Sequence, residues 1–126
     1  MAFAADTFNT LWTMRGLLPE NRVLDFVSVF GNDPFSRRQI ELLVGTRIGI
    51  VQSPALPGLK PGISTITLNG YERNFDYWRS QSAARRLASY FDLFAARLED
   101  RDLIYFSAII LAILTFDYQK VLLDAL

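Results

Sequence analysis

Two pairs of carboxylates, Asp100/Asp102 and Glu72/Asp76, stand near enough along the chain to serve as an acid and a base. That chemistry needs a cleft holding the two groups in different environments. Both pairs lie among arginines at expected helix ends, where the helix dipole also favours Asp, Glu and Arg, so they read as structural. Gly45 and Gly49 lack the Lys and Ser/Thr of a nucleotide-binding loop. The chain has neither cysteine nor histidine, which removes thiol nucleophiles, histidine bases, disulfides and ordinary zinc sites. The expectation is a chain that is not an enzyme, with no catalytic residue, no cofactor, no metal and no small-molecule substrate.

The arginines are more informative. Only Lys60 and Lys120 are lysines, and every other basic residue is arginine, the side chain suited to bidentate contacts with carboxylate or phosphate. Arg37, Arg38, Arg73, Arg79, Arg85, Arg86, Arg97 and Arg101 are interleaved with Phe75, Tyr77 and Trp78. Such a mixture serves single-stranded RNA, through phosphate contacts and base stacking. It equally serves a protein–protein interface, or solvated helix faces with internal salt bridges. Phe75, Trp78, Arg79, Arg85, Arg86 and Tyr105 are the candidate assembly residues.

Acidic and basic residues balance at 13 each, so no net field draws the chain to nucleic acid or to an anionic membrane. The 126 residues correspond to one domain, 1–126, with 51% hydrophobic residues and ten Phe. A small domain has much surface and little interior, so part of this apolar surface is expected to meet another chain. Residues 1–6 lack the basic region and long apolar run of a signal peptide. The sequence does not fix the compartment, and a virion or the cytoplasm is favoured.

The elements follow from periodicity. Phe8, Leu11 and Trp12 share one face of a helix over residues 4–15, with Asp6 as cap. Val23, Phe26, Val27 and Phe30 have helical spacing after Pro19 and end at Gly31-Asn32. Asp33-Pro34 starts a third helix that ends near Gly45. Residues 47–51 turn β-branched, and Pro54, Pro57, Gly58, Pro61 and Gly62 exclude helix. Ile63–Leu68 is a strand, Asn69-Gly70 a hairpin turn, and Tyr71–Phe75 the returning strand. Leu87, Tyr90, Phe91, Phe94 and Leu98 then form a helical stripe.

Leu103–Phe116 is apolar on every face and is expected to be a helix buried all round. It is shorter than the roughly 20 residues of a membrane span and is bounded by Asp102 and Asp117. Tyr118, Val121, Leu122, Ala125 and Leu126 continue a helical stripe. The resulting fold class is mainly α, a four- to five-helix bundle with a small β-hairpin or ribbon over about residues 47–75.

The order of these features resembles the coat proteins of rod-shaped helical plant viruses of the tobacco mosaic virus type. The resemblance is carried by Trp12, Gly31-Asn32, Phe75-Asp-Tyr-Trp-Arg79, Arg97, Arg101 and Ser107-Ala-Ile109. It implies an antiparallel bundle with RNA at its inner end, Arg97 and Arg101 as phosphate contacts, and Ser107 near a base. The Phe-Pro signal before the family's third helix and the long inner loop between its last two helices have no counterpart here. The expected function is a self-assembling subunit of a virus or phage particle, a coat or connector protein that buries aromatic surface between copies. A nucleic-acid-binding module and an adaptor that binds a partner helix are the alternatives, with RNA as a possible partner and no membrane expected. A small enzyme using only carboxylates, arginines and tyrosines stands behind them.

Overall fold

The computed structural model describes residues 6–52 and 55–124. Pro54, residues 1–5 at the expected amino-terminal helix, and Ala125 and Leu126 at the end of the last apolar stripe lie outside the described residues.

The first helix, α1, spans Asp6–Leu17 and buries Phe8. Its C-terminal end is held by Arg15, whose guanidinium donates to the carbonyl oxygens of Leu18, Pro19 and Arg22. Strand β1 (Asp25–Ser28) follows, where helical spacing had indicated a second helix. The residues also satisfy a period of two, and packing selects that period. Phe26 and Phe30 enter one apolar cluster, while Val27 and Val29 enter another on the opposite side. An extended backbone sends alternate side chains to opposite faces, which a helix cannot do.

Helix α2 (Pro34–Gly45) begins as its sequence indicates. The Asp33 carboxylate accepts from the backbone N–H groups of Phe35 and Ser36, and Pro34 occupies a first-turn position that needs no donor. Asp33 also accepts a 2.5 Å hydrogen bond from the Ser36 hydroxyl, which itself accepts from the Gly31 N–H. The Gly31 backbone passes so close to the Leu59 carbonyl that a side chain would overlap it. Thr46 ends the helix, with its hydroxyl on the Leu42 and Leu43 carbonyls. Arg47 then turns the chain with a left-handed φ of 60°, the one non-glycine with positive φ among the described residues.

Strand β2 (Gly49–Gln52) pairs in parallel with β1, in register from Asp25↔Gly49 to Ser28↔Gln52. Two parallel neighbours need a crossover, and α2 supplies it, giving a β-α-β unit. On one side of this pair, Phe8, Phe30, Leu43 and Ile48 form a core with Leu11, Phe26, Ile40, Leu42 and Ile50. On the other, Val29, Ala83 and Phe94 pack with Val27, Val51, Leu56, Leu59, Leu87 and Tyr90. The second group comes partly from a 3₁₀ stretch, Ala83–Tyr90, and from helix α3, Phe91–Leu98.

Helices therefore cover both faces of a parallel pair, the three-layer arrangement of α/β proteins. This corrects the expected mainly α bundle with a β insertion. The strands are not an insertion laid on helices; one pair lies between the helical layers.

Strands β3 (Ile63–Asn69) and β4 (Glu72–Trp78) form the expected hairpin, antiparallel from Ile63↔Trp78 to Asn69↔Glu72. The loop is Gly70-Tyr71, one residue beyond the expected Asn69-Gly70, since Asn69 pairs with Glu72; Gly70 takes a φ of 62°, as glycine at the first loop position can. Every residue of both strands is exposed, so the hairpin projects as a ribbon. One face carries Thr65, Thr67, Asn74 and Asp76, and the other Ile66, Leu68, Phe75 and Tyr77.

The last correction concerns the apolar stretch from Leu103. It is not one buried helix. Residues 103–107 have neither helix nor strand structure, and helix begins only with α4, Ala108–Ile113. Leu103 is 72% exposed and Phe116 78% exposed. The aromatic and β-branched residues Ile104, Tyr105 and Phe106 lose rotamer freedom in a helix, which disfavours an early start. Leu114 turns to extended backbone and ends α4 before α5, Phe116–Asp124. The Gln119 side-chain amide donates to the Leu111 and Leu114 carbonyls at the break between the two helices.

Candidate functional site

The base of the ribbon gathers the chemistry that the described residues offer. β4 delivers Phe75 and Tyr77 to the same face, where the rings stack with centroids 6.2 Å apart and planes 8° from parallel. Arg79 follows on that side, its guanidinium carbon 4.1 Å from the centre of the Tyr77 ring. This is cation–π stacking, and it orients the planar fork.

The chain then turns tightly. The Ser82 N–H donates to the Arg79 carbonyl, and the Ala83 N–H to the Lys60 carbonyl at 2.8 Å. Lys60 thereby lies beside the start of the 3₁₀ stretch that carries Arg85 and Arg86. Gly62 faces the Arg79 stem, with Arg79 Cγ 3.6 Å from where a Cβ would lie. Lys60, Arg79, Arg85 and Arg86 are exposed, and none pairs with a carboxylate among the described residues. Of these cations Arg79 is the one stacked in place, while Arg85 and Arg86 share the 3₁₀ stretch that Lys60 adjoins.

An open hollow is lined by Arg15, Glu20, Gly45, Thr46 and Arg47. Arg15 is committed to three backbone carbonyls and Arg47 is paired with Glu20, so its cations are already satisfied.

The residues singled out from sequence fall in separate places. Phe75, Trp78 and Arg79 are at the exposed ribbon, Arg85 and Arg86 beside its base, and Tyr105 on the extended segment before α4. Arg97 is exposed in the last turn of α3. Arg101 does not stand free for a phosphate. Its guanidinium meets the Asp25 carboxylate at 2.6 Å, with the side chains 32% and 17% exposed. Gly49 makes room for that carboxylate, since a Cβ there would overlap Asp25 Oδ1. Ser107 is buried, and its hydroxyl has no hydrogen-bond partner among the described residues. Of the carboxylate pairs, Glu72 and Asp76 share the polar face of the ribbon, while Asp100 and Asp102 are exposed beyond α3.

Sequence reasoning passed over Lys60. Its signal was its setting, a lone lysine between Pro57-Gly58 and Pro61-Gly62, where tight turns bring it to the start of the next element.

No family model matches the chain. Similarity to curated proteins is informative. The chain is 30% identical over 129 residues to a 2-dehydro-3-deoxygluconokinase of Haemophilus influenzae, an alignment covering 99% of this chain and 41% of that protein. It is 28% identical over 128 residues to the 2-dehydro-3-deoxygluconokinases of two Escherichia coli strains, covering 98% of this chain and 41% of each relative. The chain thus spans about two fifths of the length of the curated relatives it matches.

These relatives overturn the coat-protein resemblance. Its landmarks are short fragments, whereas the similarity to the kinases runs through nearly the whole chain. With it go the expectations of a non-enzymatic particle subunit, of RNA and other copies as the partners, and of no small-molecule substrate. The relatives are named for an enzyme that acts on a small sugar acid. The nucleic-acid module and the helix-binding adaptor lose their footing for the same reason.

Proposed function

We propose that this chain forms the acceptor-recognising part of a sugar-acid kinase, with the base of the β3–β4 ribbon receiving the substrate's carboxylate. The observation that carries the reading is the alignment of 98–99% of the chain with proteins named 2-dehydro-3-deoxygluconokinase. The three-layer α/β packing and the unpaired basic cluster are consistent with it.

The chemistry follows from the acceptor. A deoxygluconate carries a carboxylate at one end and hydroxyls along the chain, one of which a kinase phosphorylates. Phosphoryl transfer asks the protein chiefly to position its reactants and offset negative charge. Arg79, stacked on Tyr77, is pre-oriented for a bidentate contact, so less side-chain freedom is lost on binding. Lys60, Arg85 and Arg86 add attraction that draws an anion toward the ribbon base. The exposed aromatic rings of Phe75 and Tyr77 supply an apolar wall for the carbon backbone of the substrate.

The test is calorimetric titration of the chain with 2-dehydro-3-deoxygluconate, beside glucose as a neutral sugar. The acid is expected to bind and the neutral sugar not. A hydrogen bond to a charged group is worth about 1.5–3 kcal/mol, so Arg79→Ala should weaken binding roughly 10- to 150-fold. Arg97→Ala, away from the ribbon, should leave affinity unchanged. Equal binding of acid and neutral sugar, or indifference to Arg79→Ala in a folded variant, would overturn the proposal.

A further inference from the structure

We draw no further inference here: the strongest candidate, the exposed apolar face of the β3–β4 ribbon formed by Ile66, Leu68, Phe75 and Tyr77, carries nothing because nothing in the structure shows what covers it.

Discussion

Replacing Phe94 and Leu103 in parallel separates the three-layer arrangement from a helical bundle. Phe94 is 1% exposed and touches the face of the parallel pair opposite α2, beside Val29 and Ala83. Leu103 is 72% exposed, on a segment with no regular structure. Truncating a fully buried Phe removes its transfer free energy and leaves a cavity, typically costing about 3–5 kcal/mol. A surface truncation stays within about 0.5 kcal/mol. Phe94→Ala should therefore remove a large part of a total stability on the order of 5–15 kcal/mol, and Leu103→Ala almost none. The assay is urea unfolding followed by circular dichroism, compared at the midpoint with the slope held in view. Should Phe94→Ala fail to fold, Phe94→Leu provides the graded form, with an expected loss of about 1–2 kcal/mol. The reasoning is refuted if Leu103→Ala costs as much as the Phe94 variants. That result would mean that the apolar stretch is a buried helix after all.

Three further outcomes are expected from local features. Asp33→Ala removes the cap of α2 and leaves the buried Ser36 hydroxyl without its acceptor, a loss of about 2 kcal/mol visible as a lower urea midpoint. Asp33→Asn, which can still cap, should recover about half of it. Arg101→Ala leaves the Asp25 carboxylate unpaired at 17% exposure; this lies between a surface and a buried ion pair, so the loss should be about 1–2 kcal/mol. No change in midpoint between wild type and Arg101→Ala would show that the pair contributes nothing. Arg47→Gly keeps the left-handed conformation but removes the Cβ that makes it unfavourable, and should raise stability by up to about 1 kcal/mol, less its exposed pairing with Glu20. A fall in thermal midpoint would contradict that account.

The features legible in sequence are those whose cause is local. Asp33-Pro34 specifies a helix start because a carboxylate can accept the free N–H groups and proline needs no donor there. Gly70 specifies a hairpin turn because glycine accepts positive φ at low cost, although the loop is Gly70-Tyr71 and Asn69 joins the ladder. The aromatic and arginine content of residues 75–86 was equally visible, and those residues lie on the exposed ribbon and beside its base. Lys60 was missed because its place beside Ser82 and Ala83 depends on a contact between two segments apart in sequence.

Tertiary structure decided the rest. Val23 to Phe30 fits both a helix and a strand, and only the presence of apolar cover on two opposite sides selects the strand. The same ambiguity misled at Leu103–Phe116, where a run without charged residues specifies a need for burial but carries no period to say in what shape. A hydrophobic run reports how much free energy burial could release. Which partner provides that burial is set by residues far away along the chain, and so appears only in the folded arrangement.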